Sequence, residues 1–394
     1  MTSPSTVESR RVDSVDLLRG LVMILMALDH TRDFIGNVAA TPTNLAATTG
    51  ALFMTRWITH FCAPTFSLLT GVGAYLMLRR RTTHELSWFL LTRGVWLIVL
   101  EVTVARFFWQ FNLDYHVTFL TVLWALGWSM IVLSALVHLP ANVVAAIAIA
   151  LIALHNLTDG IAQPTSEGLR LLMTVLHRPG PLFARPGTIV FIGYPLVPWI
   201  AIMALGYSLG QVYSWPAERR RAFLLRTGLA MVAVFVALRV ANIYGDPRPW
   251  STQKTALFTV LSFINVTKTP PSLLFVLITV GPALLFLRWS DASTPRFLRP
   301  ALTIGRVPMF YFLAHVLVIH LIATVAAIAR YGSAAIATQS PTLDKYPMTQ
   351  PPDWPASLPV VYATWVLALL ILFPLCRWYA RYKATHSSPW LSYL

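Results

Sequence analysis

Apolar positions in this chain come in repeated blocks of about 18 to 25 residues, separated by short turns and by loops that hold most of the charge. Each block is long enough to cross a roughly 30 Å hydrocarbon core as a helix. The pattern predicts spans at 15–35, 57–78, 94–111, 117–137, 140–157, 188–212, 224–243, 271–288, 303–328 and 359–378. Two loops stand out for their prolines, 158–187 with "HRPGPLFARPG" and 329–358 with "QSPTLDKYPMTQPPDWP", and both are long enough to cover an outer mouth. The stretch 251–266, "STQKTALFTVLSFINV", is amphipathic and reads as a short helix lying at the outer interface.

Composition turns this pattern into a class. Of 394 residues 56% are apolar and 11% charged, with mean hydropathy +0.64, which excludes an ordinary soluble domain. The expected fold is an all-α polytopic bundle of about ten transmembrane helices with both termini cytoplasmic. No linker or soluble-length insert interrupts it, so the expected organisation is a tail at 1–14, a single membrane domain at 15–380 and a tail at 381–394. This topology puts 18 of the 30 Lys and Arg at inner ends, from Arg10 and Arg11 through Arg79, Arg80 and Arg81 to Lys383. The net charge of +15 is thereby a topology signal, and no basic and aromatic module points to nucleic acid. The polar N-terminus has no cleavage-like site after the first block, so that block is expected to stay as a helix. Cys62 and Cys376 fall near opposite faces and are not expected to pair.

Ionisable groups inside the blocks are the chemical signal, because a charge at the centre of a membrane helix costs about 2.5 to 3.5 kcal/mol on insertion scales. "LMALDHTRDF" packs Asp29, His30, Arg32 and Asp33 into five positions. At ~1.5 Å per residue His30 stands about 20 Å above the inner boundary, in the outer third. His60 lies one turn below the outer boundary of the second span, His315 near the midplane, and His320 in the outer third. Three helices thus bring histidines to a similar level, with one more just below. Their order and spacing match no metal motif, so no metal is expected. Asp16 and Arg19 in "DLLRG" are i,i+3 neighbours, Arg56 and His60 are i,i+4, and Glu101 lies two turns into its span in need of a partner. Arg106 and Arg239 fall toward outer helix ends.

The blocks "VDLLRGLVMILMALDHTRDF", "ITHFCAPTFSLLTGVGAYL", "IGYPLVPWIAIMALGY", "INVTKTPPSLLF" and "GRVPMFYFLAHVLVIH" resemble, in order, the bacterial branch of the heparan-alpha-glucosaminide N-acetyltransferase catalytic-domain family. More distantly, an arginine early in the first span with a histidine near its outer end is similar to membrane acyltransferase family three. The resemblance implies acyl transfer across a plasma (inner) membrane, from cytoplasmic acyl-CoA, the acetyl form above all, to an amine or hydroxyl of an extracytoplasmic, glycan-like acceptor. It also implies a central histidine toward the outer side, and by position His30 is the match. The loop after the first span, "IGNVAATPTNLAATTG", holds no histidine.

Physically, an attacking amine or hydroxyl must lose a proton, and imidazole suits that task near neutral pH. His30 is the candidate base, with acyl-histidine chemistry as an open alternative. Asp33, three residues along the helix, is better placed to orient it than Asp29, which is rotated by about 100°. His60, His315 and His320 complete the candidate catalytic set. Arg19, Arg79, Arg80, Arg81, Arg93 and Arg306 are the candidate phosphate contacts for the donor. Arg306 stands out because the span it begins also carries His315 and His320. Lys268, Asn265, Tyr194, Arg56 and His60 are expected at the acceptor mouth. A pantetheine arm of ~20 Å would need a cleft between helices to join the two ends. A proton-coupled transporter with an intramembrane His, Glu101 and Arg relay is the alternative class, and an accessory protein without turnover a third.

Overall fold

Within hydrocarbon every backbone N–H and C=O must be satisfied inside its own segment, so the apolar blocks become helices. The computed structural model describes residues 12–37, 41–292, 294–386, 388 and 391, so Arg10 and Arg11 lie outside the described residues. The first block is α1 (Asp13–Ile35). A 3-10 turn at Thr59–Phe61 joins α2 (Gly50–Ile58) to α3 (Cys62–Met77). Next, α4 (Thr83–Leu100) passes through a π-helical turn at Glu101–Ala105 into α5 (Arg106–Gln110). After strand β1 (Val117–Leu120) come α6 (Val122–Leu136), α7 (Ala141–Leu154) and α8 (Glu167–Leu176). Strands β2 (Gly180–Arg185) and β3 (Thr188–Ile192) precede α9 (Leu196–Gly210), α10 (Ala217–Ala241), α11 (Ala256–Ile264) and α12 (Leu273–Ser290). The chain continues as α13 (Arg299–Gly305), α14 (Pro308–Tyr331), α15 (Ala335–Thr338) and α16 (Leu358–Thr385).

Among the described residues seven helical stretches are long and apolar enough to cross a membrane. They start at Thr83, Ala141, Leu196, Ala217, Leu273, Pro308 and Leu358. The other three predicted spans fall on α1, which is rich in ionisable residues, on the broken pair α2 and α3, and on α6, only 15 residues long. This is an all-α polytopic membrane protein.

Three departures from the predicted spans shape the interior. The spans at 117–137 and 188–212 begin as strands, because "VTFL" and "TIVFI" are rich in β-branched and aromatic residues and pair in parallel with each other. β2 adds antiparallel to β3 through Pro186 and Gly187, the latter at φ +81°, giving the order β1-β3-β2. The predicted span at 303–328 is two helices, since Pro308 lacks an N–H and opens α14 at its first position. Arg306 therefore sits in the joint between α13 and α14, and does not begin the helix of His315 and His320. Finally, α16 runs on through residue 385, past the predicted end of the membrane domain.

Glycines set the closest crossings, as expected where apolar lipid offers no hydrophobic drive between helices and close backbone approach does the packing. A Cβ on Gly20 would stand 1.8 Å from the Ala301 carbonyl oxygen, and one on Gly305 1.8 Å from that of Asp16. α1 and α13 thus touch backbone to backbone, which brings Arg19 and Arg306 to one place.

Candidate active site

One face of α1 carries Asp16, Arg19, Met26, Asp29, His30 and Asp33 at helical spacing, and all six line a single cavity of about 1170 Å³. From Asp16 to Asp33 this face rises about 26 Å. The same cavity receives Arg79, Arg80, Arg81, Arg93 and Arg306 at one end, and Arg56, His60, Tyr194, Asn265 and Lys268 toward the other. Its middle is apolar, walled by Leu69, Leu97, Leu126, Met309 and Phe312 among others. Exposed residues stand at both limits, Arg79 and Arg80 at the arginine end and Thr41 and Arg248 at the histidine end.

At the arginine end most guanidinium groups are anchored. Arg19 Nη1 donates to Asp16 Oδ1 at 2.6 Å and to the Gly305 carbonyl at 3.3 Å. Arg79 Nη2 donates to the Tyr213 carbonyl at 2.8 Å, and Arg306 Nη2 to Asp13 Oδ1 at 3.1 Å. Arg81 and Arg93 lie over the Phe89 ring, 4.4 and 5.8 Å from its centroid. Each keeps donor capacity beyond these contacts, since a guanidinium has five N–H groups.

At the histidine end an ion-pair chain runs from α2 into α1. Arg56 Nη1 donates to Asp29 Oδ2 at 3.1 Å, and Arg32 Nη2 donates to Asp29 Oδ1 at 3.1 Å and to Asp33 Oδ1 at 2.6 Å. The second oxygen of Asp33 faces His30, Oδ2 to Nδ1 at 3.4 Å. Arg32 therefore anchors the carboxylate that meets His30. Buried charges at this depth persist only when paired in this way. Arg56 Nη1 also donates to Thr59 Oγ1 at 2.7 Å, in the 3-10 turn that follows α2 and carries His60.

The four histidines part company. His30 stacks on His315, with centroids 5.2 Å apart and planes at 29°, and meets Trp109 edge-on at 4.7 Å. His315 is fully buried, its Nδ1 3.0 Å from the Tyr311 carbonyl oxygen. It does not line the cavity, so its place is behind the His30 ring. His320 is also outside the cavity: both nitrogens sit 2.8 Å from carbonyl oxygens, of Phe108 and Ala337, and its ring stacks on Phe111 at 3.7 Å. Those contacts give it a holding role between α14 and the loops. The ring level with His30 is thus that of His315, while His320 meets Phe34 one turn further along α1. His60 does line the cavity, edge-on to Phe275 at 5.5 Å.

Asp29, His30 and Asp33 offer ligand atoms within 4.8 Å of one another, the spacing of a cation site. Both carboxylates already neutralise arginines, however, and a divalent ion there would stand against Arg32 and Arg56. The donor set suits an ion-pair chain.

Several lining residues carried no sequence signal for this site. Trp109 closes on His30 from the end of α5, and Tyr346 with Pro347 enters from the loop before α16, Tyr346 packing on Phe119 at 4.3 Å and Trp109 at 5.7 Å. The proline-rich loop at 329–358 thus does reach the mouth. Burial pushes the Tyr346 phenol well above its ordinary range, so it remains a neutral hydroxyl there.

Glu101 has the partner it needed, and it is backbone. Its carboxylate accepts from the N–H and hydroxyl of Thr121 at 2.6 and 2.5 Å and from Leu123 N–H at 3.1 Å, capping α6. Arg239, likewise buried, donates to the carbonyls of Arg248, Ser262, Phe263 and Asn265. Arg106 donates to Asn112, Gln110 and Asp114. These three are structural fasteners.

Comparison with curated proteins finds no match. The family model described as heparan-alpha-glucosaminide N-acetyltransferase, catalytic, matches residues 11–244, which include the whole of α1 and the ion-pair chain. That match spans more than half of the chain, and the protein belongs to this family of membrane acetyltransferases, whose co-substrate is acetyl-CoA.

Proposed function

We propose that the chain transfers an acetyl group from acetyl-CoA, held at the arginine end of the cavity, to an amine or hydroxyl of a glycan-like acceptor at the His30 end. The observation that carries this reading is that one cavity touches both the arginine cluster and the His30–Asp33 pair. In the orientation that follows, the arginine end and both termini are cytoplasmic, a single membrane domain lies between two tails with its last helix running on to Thr385, and the membrane is the cell's inner (plasma) membrane.

Arg19, Arg79, Arg80, Arg93 and Arg306 take the donor's phosphates, and the thioester arm lies along the apolar middle. The acceptor lone pair attacks the thioester carbonyl carbon while its proton passes to His30 Nε2, the nitrogen turned away from Asp33. The C–S bond then breaks, and the leaving thiolate takes that proton back, giving acetylated acceptor and free CoA. Asp33 orients the ring and stabilises the imidazolium, as a carboxylate does in a triad. Asp29 acts through Arg32 and Arg56, His315 supports the His30 ring, and His60, Tyr194, Asn265, Lys268 and Arg56 border the acceptor. A covalent variant has His30 take the acetyl group first. Radiolabel retained on the protein from acetyl-CoA without acceptor separates the two.

The test is release of free CoA by purified protein given acetyl-CoA and candidate amino sugars. His30→Ala is expected to abolish release while the protein still inserts, and Arg306→Ala to weaken CoA binding in detergent. Full activity of His30→Ala would remove it from the chemistry. Solute flux without covalent change would favour the transporter, for which the same cavity would be the path.

A further inference from the structure

α8 is turned inside out for a helix in water. Among its ten described residues Thr174 is the buried one, at 8% exposure, while Leu169 and Leu172 are 55% and 50% exposed. Leu169, Leu172 and Leu176 recur at i, i+3 and i+7 and share one stripe, and Thr174 points about 200° away from Leu172. Thr174 meets the start of β2, where a Cβ on Gly180 would lie 3.5 Å from its methyl. A helix on a soluble domain buries its leucines and shows its polar side. Here the polar side packs on protein and the leucines look out.

Its end is clamped by the residues that follow it. His177 Nε2 lies 3.0 Å from Asp159 Oδ1 and 2.9 Å from Thr158 Oγ1, and Arg178 donates to the carbonyls of Asp159 and Ile161. These partners stand just past α7, a stretch long and apolar enough to span the membrane whose buried residues are Val144, Ala148 and Ile152, so most of its surface is turned to lipid. Leu154, Leu157 and Ile161 are exposed and carry that surface up to the clamp. The α8 stripe therefore starts where a lipid-facing surface ends. On the protein side α8 leads into β2, which pairs with β3, and the residues after β3, Gly193 and Tyr194, line the large cavity toward His30.

We propose that α8 is an interfacial helix, with Leu169, Leu172 and Leu176 seated among the headgroups and upper acyl chains of the leaflet on the His30 side. Continuity with the α7 surface is what names lipid as the occupant. The helix carries one acid and one base, Glu167 and Arg170, so the seat is apolar and does not call for anionic lipid. Through β2 and β3 it holds the Tyr194 wall of the cavity at the level of the lipid surface. The inference concerns seating alone and stands whether the cavity transfers acetyl groups or passes solute.

Both native cysteines are buried, so one cysteine placed on α8 takes a thiol-reactive nitrobenzoxadiazole label selectively. Full-length protein carrying Leu169→Cys or Leu172→Cys is labelled in phosphatidylcholine nanodiscs, and quenching by a phosphatidylcholine with a shallow acyl-chain nitroxide is compared with quenching by aqueous iodide. At both positions the lipid quencher is expected to exceed iodide by about threefold or more. Dominant quenching by iodide, as for a helix in water, overturns the proposal, and so does little quenching by either, as for a stripe covered by protein or by a second copy of the chain. Leu169→Glu combined with Leu172→Glu is expected to unseat the helix, speeding tryptic cleavage after Arg170 about tenfold with the melting temperature little changed. A parental cleavage rate in that variant also overturns it.

Discussion

Two glycines on one helix give the most direct test of the continuous cavity. Gly73 lines it, and a Cβ built there meets nothing within 4 Å. Gly71, two residues earlier on α3, faces α9, where a Cβ would stand 2.0 Å from the Met203 carbonyl oxygen and 2.5 Å from Tyr207 N. Spread over about 26 Å of α1, 1170 Å³ of space open to the centre of a water-sized sphere corresponds to a mean cross-section of about 45 Å², a passage about 10 Å wide from wall to wall. An indole reaches about 6 Å from its Cα, so Gly73→Trp closes most of that width. We expect CoA release to fall at least 100-fold, about 2.7 kcal/mol of barrier, with the melting temperature in detergent little changed. Gly73→Ala should keep parental turnover and gain up to about 1 kcal/mol from helix propensity. Gly71→Ala, the same chemical change, should lose about 1 to 3 kcal/mol, because backbone atoms block the added methyl. Near-parental turnover in Gly73→Trp would refute the continuous passage. Equal melting of Gly71→Ala and Gly73→Ala would refute the packing argument.

Two more substitutions separate chemistry from scaffolding. Glu101→Gln weakens the acceptor that caps α6 and should cost about 1 to 3 kcal/mol of stability while kcat for CoA release stays parental. A kcat loss with unchanged melting would give Glu101 a chemical role and revive the relay reading. Asp33→Asn keeps the shape but removes the charge facing His30, and should lower kcat by about 10- to 100-fold with KM little changed. Parental kcat would take Asp33 out of the proton-transfer step.

What was legible along the chain was whatever depends on near neighbours. Block length marked the helices, and a three-residue spacing brought Asp16 to Arg19 and Asp33 to His30. Depth counted along single helices brought Arg19 and His30 to opposite ends of one face. The same counting failed across helices. It put His320 level with His30 and His315 below, whereas the ring that meets His30 is that of His315 and His320 meets Phe34. Spacing set Arg56 beside His60 on its own segment, but its ion-pair partner, Asp29, stands 27 residues away on α1 and had no signal along the chain.

The sequence by itself determined the class of the protein, the membrane-spanning character of its helices and the one face of α1 that gathers the ionisable residues. Those follow from hydropathy and from the fixed rise and turn of a helix, which act over a few residues. Only the tertiary structure decided that this face borders a single cavity, that Glu101 and Arg239 are fasteners, and that Asp246 ties its own loop to Thr267 and Ser272. Each of those pairings joins segments tens to hundreds of residues apart. Which segments meet is set by where backbones can approach, as at Gly20 and Gly305, and by which buried charges must find a partner to remain in the membrane.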